Sequence, residues 1–530
     1  MRKKRSLLLS VVMLVVLLSA CGKREAAPQE QDLLRIKTDN AHDPKKVIVL
    51  MADSLLPQAI DTGIRLRKLS ALRFLIEQGQ YYKDVVSSFP TMSVTIDSSL
   101  LTGTYPNAHR VPGLIWYDVK EKRIVNYGTG PMEIVRQGIN PMLEDALIRL
   151  NRDHLNPQTP TIYEDLARKG LKSGSINGLV YRGTSGHRLT IPAWIHVPTE
   201  LPGTIKVKGP DFLAFGSLSN PLKGKKNLPE ELDDRLGFGN AYSFATANYL
   251  IKNDKLPNFL FVYLPDLDQK LHKNGPSEME GVIRLDKQLQ SFLEAFGSPR
   301  KALKEAVIMI VGDSGVTQIR PAGEDPVIDL PEALNKFNVL RPGSPVTENT
   351  DIVLAVNETM AYVYTLKPAA SLQDIAGVLQ TDPRIDLLAW KERGGWIHVV
   401  QGGTSEQFRY RADGKMTDLY EQSWQLDANP QVLDLQINEQ KRTIAYGRYP
   451  DVLQRLSGAL HSHEGEYMVV TAKPGYELAD RSSPTHKGGG GHGSLTKTES
   501  LIPLILAGTD RKPEQLRVVD LKAFLLDLMK

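Results

Sequence analysis

The chain has one cysteine, Cys21, among its 530 residues. A lone cysteine excludes an internal disulfide framework and any zinc or iron–sulfur site built from cysteines. Nor is there a surplus of charge of one sign. Sixty-five Lys and Arg stand against 61 Asp and Glu, for a formal net charge of +4. A dedicated nucleic-acid binder needs a strong basic excess, so no nucleic-acid partner is expected. Internal repeats are absent as well. What remains is ordinary: 41% of residues are apolar and 24% charged. That balance is globular, and it excludes a mainly disordered or fibrous chain. At roughly 150 residues per domain the length allows three or four domains, or fewer in a long α/β enzyme.

The cysteine and the charge share a location. Residues 2–5 read Arg-Lys-Lys-Arg, and an apolar run from Leu7 to Leu18 follows, broken only by Ser10. A basic start, a short apolar stretch and small residues make a secretory signal peptide. The run falls short of the about 20 apolar residues a transmembrane helix needs. The block Leu18-Ser19-Ala20-Cys21 resembles the bacterial lipobox. That resemblance implies cleavage before Cys21 and lipidation of its sulfur, so the protein is expected to be lipid-anchored to the membrane on its extracytoplasmic face. Removing residues 1–20 removes four basic and no acidic residues, leaving 61 of each sign. Residues 21–45 are polar and read as a flexible tether.

Regular structure is expected from Val47-Ile48-Val49-Leu50-Met51, a continuous β-branched run typical of a strand buried on both faces. Similar runs are Phe259–Leu264 and Val307–Val311. Ile502–Leu506 is a fourth, and its Pro503 suggests an edge position or a strand start. Helical patterns lie between. Thr159-Pro160 offers a cap for a helix over Ile162–Lys169. Ser277 and Glu280 suggest a capping box before Val282, Leu285, Leu289, Phe292, Leu293 and Phe296. Buried strands alternating with amphipathic helices give an α/β fold, with a mostly parallel central sheet covered by helices. Residues 326–455 read differently, with aromatic-rich strands, a helix over Leu372–Leu379 and a hairpin signal at Asp413-Gly414. This stretch is expected to be an α+β cap inserted between core segments 46–325 and 456–530.

Three core strands end in aspartate: Asp53, then Asp266 and Asp268, then Asp313. Ligands bind beyond the carboxyl ends of strands in open parallel sheets. Carboxylates gathered there repel one another, and a divalent cation is the common way to keep them ionised. Asp268 and His272 are four apart, on one face of a helical turn, so both can reach one ion. His492 sits in the glycine-rich loop Gly488–Ser494, where backbone and ring can approach a site closely. Thr91, in Phe89-Pro90-Thr91-Met92-Ser93, is placed at a helix start, where free N–H groups favour an anion or an ionised hydroxyl.

In order, these segments resemble the alkaline phosphatase superfamily, and within it the type I phosphodiesterase/nucleotide pyrophosphatase branch. The matching stretches are VIVLMAD with Asp53, FPTMS through LLTGTYPNAHRVPG with Thr91, YLPDLDQKLHKNGP with Asp268 and His272, VIMIVGDSG with Asp313, and GGGGHGSL with His492. The resemblance implies an alkaline phosphatase-like core and a metal-dependent hydrolase of small phosphorylated substrates. It implies two divalent ions, zinc or else manganese. Asp268, His272 and His492 would hold the first; Asp53, Asp313 and the Thr91 oxygen would hold the second. Thr91 would be the nucleophile. Trp116, Tyr117 and Asn126 are candidate substrate contacts.

Two departures stand out. The family has Asp-His-Gly where this chain has Asp313-Ser314-Gly315. Serine is a poorer metal ligand than imidazole, which leaves a weaker second site, one completed by water, or one that borrows His461, His463 or His486. The nucleotide pyrophosphatases carry an asparagine five residues after the nucleophile; here that residue is Ile96. A sulfatase is disfavoured because Ser88–Met92 lacks the required arginine, and Gly312–Gly315 forms no serine-hydrolase elbow. The alternative from another class is a lipoprotein that keeps the fold and only binds a phosphorylated ligand.

Overall fold

The computed structural model describes residues 45–128, 139–197, 201–230 and 235–530. The leader, Cys21 and nearly all of the tether lie outside the described residues. Seven strands form the main sheet: β1 (Lys46–Ala52), β2 (Gly79–Val86), β3 (Ser173–Ile176), β4 (Phe212–Ala214), β5 (Phe259–Leu264), β6 (Ala306–Val311) and β7 (Leu501–Ala507). Their order is β2-β7-β6-β1-β5-β3-β4. From β6 to β4 every pairing is parallel, while β7 runs antiparallel to both β6 and β2. The fold is α/β with a mostly parallel central sheet.

β1 is buried along its whole length because it is apolar on both faces. Ile48 and Leu50 enter one apolar cluster; Val47, Val49 and Met51 enter another. Four helices matter for the site: α1 (Ser93–Thr102), α2 (Asp266–Asn274), α3 (Glu280–Glu294) and α4 (Val518–Leu528). α3 packs Val282, Leu285, Leu289 and Phe292 on the first face. α1 and α4 cover the second with Val94, Ile96, Leu100, Leu521 and Leu525. Each such side chain contributes about 1.5–3 kcal/mol on burial, so both sheet faces are held by helices.

The local signals differ from expectation in four places. The helix at Ile162–Arg168 is capped by Thr161, not Thr159, in a reciprocal capping box with Glu164. Ser277 does not cap α3; the Glu278 carboxylate instead accepts the N–H groups of Glu280 and Gly281, at 2.8 and 2.9 Å. β7 is an interior strand despite Pro503. The proline lies near its start, opposite an irregularity in β2 between Tyr82 and Val85, where no ladder hydrogen bond is lost. Asp413-Gly414 is not a hairpin turn. The strand Gln407–Asp418 continues through it with a bulge between Ala412 and Met416, and the chain reverses beyond Asp418.

A second sheet of nine strands holds the aromatic segments. Its strands run in the order Ile352–Asn357, Met360–Thr365, Glu466–Ala472, Ile385–Lys391, Ile397–Gln401, Gln407–Asp418, Thr443–Tyr446 and Leu435–Asn438, with Ser423–Ala428 paired to Gln407–Asp418. It therefore takes in Glu466–Ala472, beyond residue 455. Its first two strands join through the tight turn Glu358-Thr359, which reaches the carboxyl end of the main sheet. Among the described residues no helix is long and apolar enough to cross a membrane.

Candidate metal centre

β5, β1 and β6 are adjacent and parallel, with Ala52 level with Leu264 and Met51 level with Val311. The residues that follow them therefore emerge side by side. Asp53 and Asp313 leave β1 and β6, and α2 begins two residues after β5. Asp266 is drawn away from this group: its carboxylate accepts from Arg235 at 2.9 Å and from the Asn240 N–H at 3.2 Å. Asp268 and His272 lie one turn apart on α2, with His272 Nε2 3.2 Å from Asp268 Oδ1. His492 arrives from the glycine loop and places its Nε2 3.5 Å from the same oxygen. The loop needs its glycines here: a Cβ on Gly489 would lie 1.9 Å from the His272 carbonyl, and one on Gly490 2.8 Å from the Leu271 carbonyl.

The histidines are oriented as metal ligands are. His272 Nδ1 donates to the Gly490 carbonyl at 2.8 Å, and His492 Nδ1 donates to the Thr91 carbonyl at 2.7 Å. Each ring then keeps Nε2 as its lone-pair donor, pointed at Asp268. Zinc bonds of about 2.0–2.1 Å in a tetrahedron put ligand atoms about 3.3 Å apart, and the observed spacings suit that. Asp268, His272 and His492 thus form a group able to hold one cation.

The charges agree. Burial alone would raise Asp268, but His272 and His492 outweigh it and hold the carboxyl far below its ordinary value. Burial also opposes charge on His272, yet Glu358 and Asp268 push it up to about 9. His492 is driven upward in the same way, against its own burial, by Glu358 and Asp268.

The second group is less complete. Asp313 Oδ1 accepts the N–H groups of Ser54, at 2.8 Å, and Ser314, at 2.6 Å, while its buried Oδ2 has no partner among the described residues. Asp53 accepts from the Tyr263 hydroxyl and from Ser93, the latter at 3.4 Å. Burial, then Asp313 and Asp268, holds its carboxyl well above the usual range. An unpartnered Asp313 oxygen beside the raised Asp53 carboxyl is a donor set that suits a divalent cation. Where the family has an imidazole, however, Ser314 Oγ lies 3.2 Å from Ser54 Oγ, which donates to Asp268 at 2.8 Å.

Thr91 stands two residues before α1, whose N-cap is Met92. It is fully buried. The Gly493 N–H donates to its Oγ1 at 2.7 Å. The Glu358-Thr359 turn lies over Gly493, since a Cβ there would meet the Asn357 carbonyl at 2.5 Å. Ile96 is fully buried in the apolar cluster beneath α1 and offers no polar contact.

The three candidate substrate contacts pack in the interior or close a turn. Trp116 is buried, with its indole N–H 3.3 Å from the Tyr127 hydroxyl and its ring edge-on to His154 and His463. Tyr117 is buried against Tyr364. Asn126 Oδ1 accepts the Gly128 N–H at 2.7 Å, closing a turn. Of the three candidate replacement histidines, His463 is a core residue bonded to Tyr364 and Ser462 and stacked on Tyr467. His461 bonds the Ser457 carbonyl at a helix end. His486 alone joins the centre, stacked on His272 with ring centroids 4.3 Å apart.

Two carboxylates escaped the sequence reading. Glu358 Oε1 lies 3.7 Å from His272 Nε2 and 4.0 Å from His492 Nε2, and its Oε2 accepts the His492 N–H at 3.1 Å. Asp97, on α1, is fully buried with no partner for either oxygen among the described residues. Burial and Asp313 hold it well above its ordinary value. Glu358 occupies a tight turn with φ of +59°, where glycine or asparagine is usual, but that conformation is not legible in the sequence.

Comparison with known proteins places the chain in a family. The family model for type I phosphodiesterase / nucleotide pyrophosphatase matches residues 47–495. No curated protein matches the chain. Among solved structures, phosphonoacetate hydrolase from Sinorhizobium meliloti 1021 in complex with phosphonoacetate is similar, with a TM-score of 0.56, 14% identity, and coverage of 93% of this chain and 99% of that one. Murine ectonucleotide pyrophosphatase/phosphodiesterase 5, as an inactive variant in complex with AMP, gives a TM-score of 0.53 at 14% identity, covering 92% of this chain and 95% of that one. The human form gives 0.53 at 13% identity over the same shares. At such identities these neighbours share the fold, and the family match spans most of the chain. The chain belongs to the type I phosphodiesterase/nucleotide pyrophosphatase family, within the alkaline phosphatase superfamily.

Proposed function

We propose that this protein is a metal-dependent phosphohydrolase, a phosphodiesterase or phosphatase, that acts outside the cytoplasm with Thr91 as its nucleophile. On this reading a lipid at Cys21 anchors it to the membrane. The observation that carries the proposal is the convergence of Asp268, His272 and His492, with both ring Nδ1 atoms fixed by carbonyls and one of those carbonyls belonging to Thr91. Structural neighbours bound to AMP and to phosphonoacetate support a small phosphorylated substrate.

Asp268, His272 and His492 would hold one divalent ion, of which zinc suits the donors best. Asp53, Asp313 and Thr91 Oγ1 would hold a second. Such ions, when bound, would supply charge neutralisation for the reacting phosphoryl group and would favour ionisation of the threonine hydroxyl. Thr91 loses its proton to solvent, its Oγ1 forms a bond to phosphorus, and the bond to the leaving oxygen breaks so that this oxygen departs as an anion with the electron pair, taking up a proton from water when basic enough. Water then cleaves the phosphothreonine, restoring the hydroxyl and releasing phosphate or a phosphomonoester. α1 starts just beyond Thr91, so its N-terminal N–H groups favour the anion. Thr91 is fully buried and its Oγ1 accepts the Gly493 N–H, a hydrogen bond that attack would have to give up.

The same burial, and Ser314 in place of an imidazole, favour a second reading: a weakly active or non-catalytic protein that binds a phosphorylated ligand. One assay separates them. Purified protein should hydrolyse bis-p-nitrophenyl phosphate or p-nitrophenyl phosphate with added zinc or manganese, and Thr91→Ala should abolish this. Absence of activity with every metal, or activity that survives the substitution, defeats the enzyme reading.

A further inference from the structure

Ser54 touches both halves of the metal centre. It follows Asp53 directly and is fully buried. Its N–H donates to Asp313 Oδ1 at 2.8 Å, and its Oγ donates to Asp268 Oδ1, also at 2.8 Å. Asp268 Oδ1 is the same oxygen that His272 Nε2 and His492 Nε2 approach at 3.2 and 3.5 Å. One residue therefore connects the aspartates carried by β1, α2 and β6. A serine hydroxyl has a single proton, and that of Ser54 is committed to Asp268. In the 3.2 Å contact between Ser54 Oγ and Ser314 Oγ the donor is then Ser314. The two hydroxyls make a chain that runs from Ser314 through Ser54 to Asp268.

The backbone at Ser54 is what singles it out. Its φ is +56°, in the left-handed region that glycine adopts freely and other residues adopt at a cost. The surroundings fix that conformation. The Asp53 N–H donates to the Leu264 carbonyl at 3.1 Å, and the Leu55 N–H donates to the Ala52 carbonyl at 3.1 Å, closing a tight turn. The turn presses on the end of β6, since a Cβ on Gly312 would lie 2.9 Å from the Leu55 carbonyl. Strain held in place this way points to a role for the side chain that bears it. What serine adds over glycine here is a hydroxyl, and that hydroxyl goes to Asp268.

We propose that Ser54 is a positioning residue of the metal centre: its hydroxyl, backed by that of Ser314, orients Asp268 as a ligand, while its N–H holds Asp313 so that Oδ2 is the oxygen left free. This rests on the reading that Asp268, His272 and His492 bind a cation. When both rings turn their Nε2 lone pairs to an ion they no longer donate to Asp268. Ser54 is then the one side-chain donor to that carboxylate among the described residues. Ligating carboxylates are themselves held by hydrogen bonds, and losing such a bond weakens metal binding. Ser314, standing where the family has an imidazole, thereby acts on the first cation position through Ser54.

The test is zinc affinity and the visible spectrum of the cobalt-substituted full-length protein, both read without substrate. Circular dichroism and thermal unfolding in chelator establish that each variant is folded; Ser54→Gly suits the backbone, because glycine accepts this φ. Ser54→Gly should weaken zinc binding by about 10–100-fold, with the cobalt d–d bands in their wild-type positions because no ligand has changed. Ser314→Ala should weaken binding by a smaller factor, and the double variant should bind no more weakly than Ser54→Gly alone, since Ser314 acts through Ser54. Losses that simply multiply in the double variant would overturn the hydroxyl chain. Cobalt bands that shift in Ser54→Gly as they do in His492→Ala would make Ser54 a ligand and overturn the positioning role. If wild-type protein binds zinc and both single variants bind it with unchanged affinity, this inference is wrong while the three-ligand site stands. Should Ser54→Gly fail to fold, unchanged affinity in Ser314→Ala overturns it alone. If wild-type protein binds no cation at all, the parent reading falls and takes the inference with it.

Discussion

Zinc affinity should rise steeply with pH between 7 and 9. Ligation needs neutral imidazole, but in the metal-free protein the Glu358 and Asp268 carboxylates overcome burial and push His272 up to about 9. At pH 7 that ring is about two units below its titration point, so freeing its lone pair costs about 2.7 kcal/mol. Each proton displaced by the metal makes the apparent affinity climb about tenfold per pH unit. His272 alone therefore gives about a hundredfold gain from pH 7 to 9. His492 is displaced upward by the same carboxylates, so any proton it releases on ligation steepens the rise further. Competition with a chromophoric chelator calibrated at each pH measures the slope. Proton uptake by a dilute indicator counts the protons released per ion. A flat affinity over this range, with no proton release, would refute the reasoning, because it would mean that the two imidazoles are neutral beforehand or are not ligands.

Other expectations follow from the same geometry. The folded-state value of His272, about 9, lies above its ordinary 6.5, so its charge stabilises the metal-free protein below about pH 6.5 and that contribution is lost as pH climbs to about 9. Thermal unfolding of chelator-treated protein should show the midpoint falling across this window, and a midpoint that rises would contradict the pairing. Gly493→Ala should destabilise by about 1–3 kcal/mol and impair hydrolysis, since φ is +133° and the new Cβ would meet the Asn357 carbonyl at 2.5 Å. Arg455 is buried and donates to the carbonyls of Ser88, Pro450 and Leu495, so Arg455→Met should lose on the order of 3 kcal/mol in denaturant unfolding. Ser314→His should raise the zinc stoichiometry towards two ions per chain; a ratio unchanged from wild type would show that the second position is limited by something other than this serine.

The parts of the site that were legible in the sequence are those whose signals are local. Asp53 and Asp313 each close a run that is apolar on both faces, so a buried parallel strand and its carboxyl-end aspartate could be read together. Asp268 and His272 sit one helical turn apart within a single helix, and His492 is marked by its glycines. Glu358 was hidden because it reaches the centre from a turn of the other sheet, and nothing near it in the sequence belongs to the site. His486 could be named among three histidines but not ranked, since what distinguishes it is the distant carboxylate of Glu477 and the face of His272. Pro503 left an edge position and a strand start open: it lies near the start of an interior strand, and the irregularity in β2 that accommodates it is not written in β7. Trp116 and Tyr117 show the limit for aromatics, whose composition is the same in a packed core as in a substrate pocket.

The central claim is that Thr91 becomes covalently phosphorylated during turnover. Protein mixed with bis-p-nitrophenyl phosphate and zinc, quenched in acid and digested, should yield a phosphorylated peptide containing Thr91, with the phosphate placed on that residue by fragmentation. The signal should vanish in Thr91→Ala. Turnover of the ester with no phosphate on Thr91, or with phosphate on another residue, would contradict the account.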